Sequence, residues 1–514
     1  MLKKIQQDFS YYSHEFKDNY RKGVHRLRTI LASRAQAQAF VSNAGGVAVV
    51  LGYEPETPDK NAQELYALLA ASPYIDDAVQ TFLGSIYEAG AESQDAMYSD
   101  SARCLEILHD PVMARAAGAG AVSAGKWIAA LAGQSCAAYT GIAAVAASET
   151  AMTAVAASET AMAAVVCNAT ALNAVVTSQV ALNAVAASET AMAAVIGNAT
   201  ALNVVATSQA AMNAVAASET AMAAVIANST ALNTVVTSPV AMNAVASSYV
   251  AVAALYESAV AVEAVKANET AWATLTGASS AVMGKAAAKL AGLNPADYAD
   301  MTAVASSSTA MAAVASSQTA MTAVASSQTA MAAIEKSQVA KDAIAASDMA
   351  TAKYAVGAAG LKPADYANMA AVAASQTAMA AIASSQTAMA AIIRNSTALN
   401  AVVSSSTAMA AIAASSIALS AIAASTTALD AIYAKKKRMS GASASLSGKF
   451  IILQISNDNA FDTSQFGYAT LSDGSKPKWD SYKGKYAYFK QYKKIATYMK
   501  NDTDRDDWID YFQC

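Results

Sequence analysis

The sequence predicts a mainly α-helical protein: a helical N-terminal domain, then a solenoid or rod of short capped helices with ten-residue repeats, and a small α+β or β-rich C-terminal tip. Three observations predict this fold class. Val or Ile recurs every ten residues in three runs between positions 145 and 435, and Ser or Asn holds one fixed place in each repeat. Fourteen of the 35 aromatic residues (22 Tyr, nine Phe and four Trp) lie in residues 449–514.

The chain is poor in charge. Charged residues make up 14% of its 514 residues and the net charge is −4, whereas ordinary domains carry about 25% charged residues. This balance excludes the basic surface that nucleic-acid binding requires. Cys104, Cys136, Cys167 and Cys514 show no metal-ligand spacing. We therefore expect no metal, no cofactor and no nucleic-acid partner, and thiols that stay reduced.

Residues 1–140 do not repeat and form the predicted helical head domain. Their basic N-terminal segment lacks the apolar stretch of a secretory signal, which predicts synthesis in the cytoplasm. Residues 127–148 form an uncharged run of membrane length. Its Gln, Ser, Thr and small residues favour a buried helix, so we expect no membrane span.

The repeats form three blocks, predicted at 141–276, 304–348 and 372–435. The Ser-position residues fall every ten residues from 148 to 268, from 307 to 347 and from 375 to 425, which gives thirteen, five and six units. Self-similarity at a fixed period is typical of a stacked array of repeats.

A period of ten does not suit one continuous helix. At about 100° per residue, ten residues advance by roughly 1000°, which is about 80° short of three turns. A long coiled coil is disfavoured because it tolerates only periods of about 3.5 or 3.67 residues per turn. A β-solenoid shaft stays open as the alternative, since Val, Thr and Ser recur at regular positions, although alanine suits strands poorly.

A short helix that is capped and broken once per unit fits the substitutions best. Asn168 replaces Ser at the fixed position, and Ser and Asn are both strong N-cap residues. Pro239 directly follows Ser238, at the first helical position where proline is tolerated. Gly197 precedes an Asn cap, where the previous helix would end. Helices this short must bury their Met, Leu, Val and Ile side chains against neighbours.

Two spacers, predicted at 277–303 and 349–371, separate the blocks. "AGLNPADYADM" at 291–301 matches "AGLKPADYANM" at 359–369. Gly292 and Gly360 would end one helix, and Pro295 and Pro363 would open the next. Within the first block a longer period of thirty residues is also visible, which suits an element whose length is set by adding units.

The aromatic tip, residues 449–514, follows a predicted linker at 436–448. "KFIILQI" is typical of a strand, and lysines alternate with aromatic residues near position 490. The candidate residues for binding a glycan or phosphate on this surface are Tyr486, Tyr488, Phe489, Lys490, Tyr492 and Lys493. The alternative is a small core with a solvated lysine face. Asp502, Asp504 and Asp506 alternate as in a calcium loop, but the required glycine is missing, so we predict no metal site there.

The decads, of the form S-x-T-A-M-x-A-V as in "SETAMAAV" at 158–165, resemble those of tailed-bacteriophage tail-fibre and other virion structural proteins. The resemblance covers a little over half of the chain, namely its repeats. It implies a structural fibre or whisker subunit, and not an enzyme, that is made in the host cytoplasm and assembled into the virion.

The same resemblance implies the roles of the two ends. The N-terminal domain would attach to other virion proteins, and the tip would contact a host-surface glycan or protein or another virion protein. We also expect a homo-oligomer. Two alternatives stay open: a bacterial surface adhesin or rod protein, which an export signal would favour, and a tip enzyme that cleaves glycan, which a carboxylate pair in a cleft would favour.

Overall fold

The structure is a computed structural model that describes residues 2–17, 20–52, 60–87, 93–441, 443–456, 467–477, 484–501 and 507–514. Helices account for 74% of the chain, and a five-stranded antiparallel sheet lies near the C-terminus. This confirms the predicted mainly α fold with a small β-containing tip. The β-solenoid alternative is wrong, because the decads are helical.

The chain divides into two compact units. The first comprises Met1–Ala254 and Glu263–Ala271, and the second Leu255–Val262 and Trp272–Cys514. The division falls inside the first block of decads, so it follows neither the predicted head domain nor the predicted block boundaries.

In the described residues before position 132, the chain forms ten helices. They are α1 (Leu2–Lys17), α2 (Tyr20–Ala32), α3 (Arg34–Val41), α4 (Ala44–Leu51), α5 (Lys60–Ala70), α6 (Ile75–Ile86), α7 (Gln94–Tyr98), α8 (Ser101–His109), α9 (Pro111–Ala119) and α10 (Ala121–Leu131). Helix α1 packs on α4, α2 on α5, and α6 on both α4 and α9. Buried aromatic side chains fill these contacts, with Phe16 edge-on to Phe40 at 5.8 Å between ring centroids.

The first block contains fourteen short helices. They are α11 (Ile142–Ala147), α12 (Glu149–Ala157), α13 (Glu159–Val166), α14 (Ala169–Thr177), α15 (Gln179–Ala186), α16 (Glu189–Gly197), α17 (Ala199–Thr207), α18 (Gln209–Ala217), α19 (Glu219–Ala227), α20 (Ser229–Thr237), α21 (Pro239–Ala246), α22 (Tyr249–Glu257), α23 (Ala259–Ala267) and α24 (Glu269–Thr276).

The later blocks repeat the pattern in the second unit. Their helices are α25 (Ser280–Leu290), α26 (Met301–Ser306), α27 (Ser308–Ser316), α28 (Gln318–Ser326), α29 (Gln328–Lys336), α30 (Gln338–Ala345), α31 (Asp348–Ala358), α32 (Met369–Ala374), α33 (Gln376–Ala383), α34 (Gln386–Arg394), α35 (Ser396–Ser404), α36 (Ser406–Ala413), α37 (Ser416–Ala424) and α38 (Thr426–Tyr433).

One cap residue breaks the helix in each decad, as predicted. Ser158 takes an extended backbone, with φ −99° and ψ 116°, and its Oγ accepts from the Ala161 N–H at 3.2 Å. Asn168 does the same through Oδ1, which accepts from Ala171 at 2.9 Å. Pro239 opens α21, and Gly197 is the last residue of α16. Because the cap is extended, the next helix starts in a new direction, at 101° between α13 and α14.

Three decads make one turn of the solenoid within each unit. After three such bends the fourth helix returns to the first, so α12 packs on α15, α15 on α18 and α18 on α21 in the first unit. In the second unit α27 packs on α30 and α33 on α36. The thirty-residue period in the sequence is therefore one complete turn, and equivalent residues of successive turns lie over one another.

Four positions face the core in most decads. In the decad that begins at Ser158 they are Ala161, Met162, Val165 and Val166, which are all buried. They lie three, four, seven and eight residues after the cap, which is one stripe of an α-helix. Burial of each Met or Val contributes about 1.5–3 kcal/mol, while Ala next to them lets the neighbouring backbones approach.

The cap side chain also joins successive turns. Ser178, Ser188, Ser238 and Ser248 each donate their Oγ–H to a carbonyl 32 residues earlier, as in Ser238 to Ala206 at 2.6 Å. In the second unit Ser405 donates to Ala373 at 2.6 Å. The cap thus accepts from its own helix and donates to the previous turn, which explains why the position holds Ser or Asn and never Asp, a side chain that has no donor when ionised.

The two predicted spacers are copies of an element that occurs three times and starts every block. We call it the opener: an eleven-residue helix, a glycine, a 3-10 turn and a six-residue helix. Its long helices are α10, α25 and α31, and its 3-10 turns are Cys136–Ala138, Pro295–Asp297 and Pro363–Asp365. The copy at 121–147 escaped the sequence comparison because Cys136 stands where the others have proline.

The opener ends its long helix in the same way each time. Gly133, Gly292 and Gly360 have φ of 70°, 74° and 75°, and the following N–H bonds back to a carbonyl five residues earlier, as in Leu293 to Ala288 at 2.8 Å. This is a Schellman cap, which needs a left-handed residue.

A buried lysine fastens the 3-10 turn of the opener. Lys353 is 1% exposed, and its Nζ donates to the Pro363 carbonyl at 2.8 Å. Lys126 reaches the equivalent Cys136 carbonyl at 3.4 Å in the first copy.

The C-terminal tip is a sheet of strand order β1-β5-β2-β4-β3 with one short helix. The elements are β1 (Lys437–Ser440), β2 (Ser445–Ser456), β3 (Tyr468–Leu471), α39 (Ala487–Tyr492), β4 (Ala496–Lys500) and β5 (Trp508–Gln513). The linker predicted at 436–448 is therefore wrong. Its residues form β1, which pairs with β5, and the start of β2, which pairs with β4.

Candidate functional site

The sheet covers the end of the third block. Leu429 and Ile432 of α38 share one core cluster with Ile451 and Leu453 of β2 and Phe512 of β5. A second cluster lies among Met439, Phe450, Ile452, Ala469, Met499 and Ile509. A repeat array leaves its last apolar face exposed unless another element caps it, so the first role of the tip is to cover that face.

Half of the predicted surface-binding residues belong to this core. Tyr486, Tyr488 and Phe489 are 2%, 4% and 1% exposed, so the expectation that they form an exposed binding surface is wrong. The reason is that α39 packs on β2, where the Tyr486 N–H donates to the Leu453 carbonyl at 2.6 Å. Tyr492 is half-buried, with its ring 4.8 Å from that of Tyr488.

The polar end of Tyr486 ties the tip to the last decad. Its hydroxyl donates to Asp430 of α38 at 2.5 Å, and Lys485 Nζ lies 3.0 Å from the same carboxylate. The hydrogen bonds from Tyr486 and Lys485 hold the pKa of Asp430 below its usual value. These contacts are structural, since they use the groups that a ligand would need.

A second polar group joins the sheet to α38. Asp510 is buried, and its carboxylate accepts from Arg438 at 2.6 and 2.9 Å and from the Tyr433 hydroxyl at 3.2 Å. Burial alone would raise the pKa of Asp510, but the bonds and charge of Arg438 outweigh it and lower the pKa. The Arg438 guanidinium also lies 3.6 Å from the centroid of the Trp508 ring.

The lysines of the predicted surface remain exposed. Lys490 and Lys493 face solvent, and the nearby Lys494 is paired with Asp473. The arrangement offers positive charge that can attract an anion, while the aromatic residues predicted to stack beside these lysines are buried or half-buried. This agrees with the alternative given by the sequence, a small core with a solvated lysine face.

The sequence also raised the questions of a metal site and of the state of the cysteines. Asp502, Asp504 and Asp506 lie outside the described residues. Among the described residues no group of three or more His, Cys, Asp or Glu is placed to hold a metal ion, and all four cysteines are free thiols. Burial raises the pKa of Cys104 to about 12.

The described part of the chain contains no single helix with the length and apolar character to cross a membrane, although five bent pairs of decad helices would suffice by length and composition. The run at 127–148 is divided between α10, the 3-10 turn and α11.

Two departures from the repeat were missed by sequence reasoning. The core position four residues after the cap holds Met, Leu, Val or Trp in 22 of the 24 decads, and Lys341 and Thr351 are the exceptions. Thr351 is buried and donates to the Ile344 carbonyl at 2.9 Å. Lys341 is half-buried beside a cavity. Aligning the decads by their caps would have revealed both.

Comparison of the chain with known family models and with curated protein sequences finds no match.

Proposed function

We propose that the chain is a structural fibre or whisker subunit of a phage virion, whose decads set a length and whose C-terminal tip contacts a host surface or another virion protein. The observation that carries the proposal is the repeated unit itself. Each opener starts a block in which identical capped helices bond to the turn before, so a block gains length from further copies of ten residues without a new kind of contact. A spacer needs this property, whereas a catalytic core gains nothing from it.

The distribution of polar chemistry supports the same role. Most outward positions of the decads carry Ala, Thr, Asn, Gln or Ser, and the polar contacts of Asp510, Tyr486 and Lys485 join the tip to α38. In this proposal the solvated Lys490 and Lys493 are the part of the tip that meets a partner, and the N-terminal helices attach to other virion proteins. The virion role itself rests on the resemblance of the decads.

The test is the position of the chain in purified particles. Antibodies raised against residues 436–514 and against residues 20–131, each conjugated to gold, are applied to virions of the phage that encodes the chain. The proposal expects both labels on each particle, with the C-terminal label farther from the virion body. Absence of the chain from virions by mass spectrometry, with the chain found on the bacterial surface instead, would favour the adhesin alternative and refute the proposal.

A further inference from the structure

A cavity of about 340 Å³ lies in the second unit, where the end of the second block meets the third opener and α34. Charged residues are scarce in the decads, yet this cavity is lined by Glu335 of α29, Lys341 of α30 and Arg394 of α34, with Gln386 and Thr387 beside them. Its apolar wall consists of Ile344, Ala345, Ala390 and Ala391.

Two of these charges stand in core positions of the repeat. Lys341 is four residues after the cap Ser337, where 22 decads have a large apolar residue, and Glu335 is eight residues after the cap Ser327, where most decads have Ala, Val or Ile. At these positions Glu335 is exposed and Lys341 is half-buried, and breaks of a local rule of this kind concentrate at functional or strained sites. Both departures open on the same cavity.

Two of the three charged residues that line the cavity already have hydrogen-bond partners. The Tyr354 hydroxyl donates to Glu335 Oε1 at 3.1 Å, and burial raises the pKa of Tyr354, so the phenol stays protonated and able to donate. Arg394 is paired with Asp342 at 2.9 Å. Lys341 makes no side-chain hydrogen bond or ion pair with the described residues. Within the described part of the chain, Lys341 is therefore the one charged residue of the lining whose side chain has no hydrogen-bond partner, while Glu335 keeps its negative charge.

We propose that this cavity binds one acidic sugar residue, a hexuronate. The Lys341 ammonium would pair with the carboxylate, and Gln386, Thr387 and Glu335 would bind hydroxyl groups. The aliphatic wall around Ile344 would lie against the C–H face of the ring. The volume is at the lower end of the range for small-molecule sites, about 300–1,000 Å³, which suits a single ring. This inference does not depend on the proposed virion role.

The charge pattern favours a carboxylate over a phosphate. Phosphate sites use bidentate arginines and clustered backbone N–H groups to hold about two negative charges. Here the one arginine is already engaged by Asp342, and Glu335 would repel a dianion. A singly charged ligand needs no bidentate arginine, is repelled less by Glu335, and can donate hydrogen bonds from its hydroxyl groups to that carboxylate.

The experiment is titration calorimetry on the full chain with sodium glucuronate, a galacturonate trisaccharide, glucose, acetate and inorganic phosphate. The sugar acids are expected to bind, and the trisaccharide separates recognition of a residue within a glycan from recognition of the free monosaccharide. Binding of either sugar acid is consistent with the proposal. Acetate or phosphate binding as tightly as the sugar acids would overturn it, as would no sugar-acid binding at millimolar concentration.

The variant Lys341→Met restores the usual residue of the repeat, so it should melt at the same or a higher temperature while its affinity for the sugar acid falls at least tenfold. Lys336→Met is the matched control, since Lys336 is exposed, five residues away and outside the cavity lining. It should bind as the wild type does. Unchanged binding by a folded Lys341→Met protein would overturn the assignment of Lys341.

Discussion

The Oγ of Ser405 lies 2.6 Å from the carbonyl oxygen of Ala373 in the previous turn and 3.2 Å from the N–H of Ala408 in its own helix. One hydroxyl therefore serves as acceptor for the helix it starts and as donor to the turn on which that helix rests. The same pair of bonds recurs at most described cap serines of the later turns.

Substitution of Ser405 separates the two bonds. Ser405→Asp keeps the cap but removes the donor, so we expect a loss of about 1–2 kcal/mol from the free energy of unfolding, although Asp and Ser are equivalent caps. Ser405→Asn should be milder, because Asn268 both caps and reaches the Val236 carbonyl at 3.5 Å. Urea unfolding followed by circular dichroism measures the difference.

The matched control is Ser279, an exposed cap of α25 whose Oγ accepts from Val282 at 3.3 Å. Ser279→Asp should leave the stability unchanged. If Ser405→Asp proved as stable as the wild type, the bond between turns would carry no stability.

Two glycines predict opposite effects of alanine. A Cβ on Gly125 of the first opener would lie 2.2 Å from the Gly141 carbonyl carbon and from the Ile142 nitrogen. Gly125→Ala should therefore cost about 3 kcal/mol or more, since the backbone must move. A Cβ on Gly197 in α16 meets nothing within 4 Å, and Gly197→Ala should stabilise by about 0.5–1 kcal/mol.

The melting temperatures of the two purified variants test this prediction. The melting temperature of Gly125→Ala should fall, and that of Gly197→Ala should rise. A rise in both would show that the opener tolerates a wider separation between its long helix and the six-residue helix.

Lowering the pH should destabilise the C-terminal tip before it destabilises the decads. The pKa of Asp510 is lowered in the folded chain, so its contribution is present above the unfolded value of about 4 and is lost as pH falls through the folded value. We measure this by hydrogen-exchange mass spectrometry, with each exchange rate corrected for the intrinsic rate at that pH. The amides of β1 and β5 should lose more protection between pH 7 and pH 3 than the amides of α35 do. Asp510→Asn should have the same effect at pH 7, at a cost of about 1–3 kcal/mol.

Asp473→Asn provides the comparison, because Asp473 and its partner Lys494 are exposed and exposed ion pairs contribute little. Equal effects of Asp473→Asn and Asp510→Asn on exchange in β5 would contradict the role given to Asp510.

Removal of residues should be tolerated in multiples of the repeat. Deletion of 188–217 removes one turn, and the remaining helices can form the same bonds across the junction. We expect a folded chain whose circular dichroism spectrum keeps the helical shape of the wild type and whose melting temperature is close to that of the wild type.

Deletion of 188–212 is shorter but leaves half a unit at the junction. Its helices cannot place Met, Leu and Val on the core stripe, so this variant should melt at a lower temperature. Equal stability of the two deletions would show that the period of ten is not required.

The local features of the decads were predictable, and their arrangement was not. Asn168, Pro239 and Gly197 act within one or two residues of the break, so the sequence identifies the cap without knowledge of the fold. The number of helices in each turn, three, follows from the bend of about 100° between successive helices. This bend depends on packing between turns, which the sequence of a single decad does not contain. The thirty-residue duplication held this information, but the sequence alone does not distinguish a structural period from a copied segment.

The tip shows a different limit on what can be predicted from the sequence. Tyr488 and Phe489 alternate with lysines in a way that fits both a binding surface and a short core helix, and only the contact of α39 with β2 decides. The cavity beside Lys341 was missed for another reason: the residues that line it come from four helices, and only the third opener brings them together. The local sequence signal for this cavity was a lysine, Lys341, at a position of the decad that is usually apolar.

The reach of the cap hydroxyl, 32 residues, also sets how the chain can fold. Contacts between turns span 32 residues within a block, as in Ser405 to Ala373, and 50 residues across an opener, as in Asn395 to Ala345. Each turn therefore needs only segments that are close to it in the chain. Low contact order of this kind favours fast folding, and repeat arrays can nucleate at any point and propagate. Each turn can therefore form as soon as it leaves the ribosome, while later turns are still being synthesised.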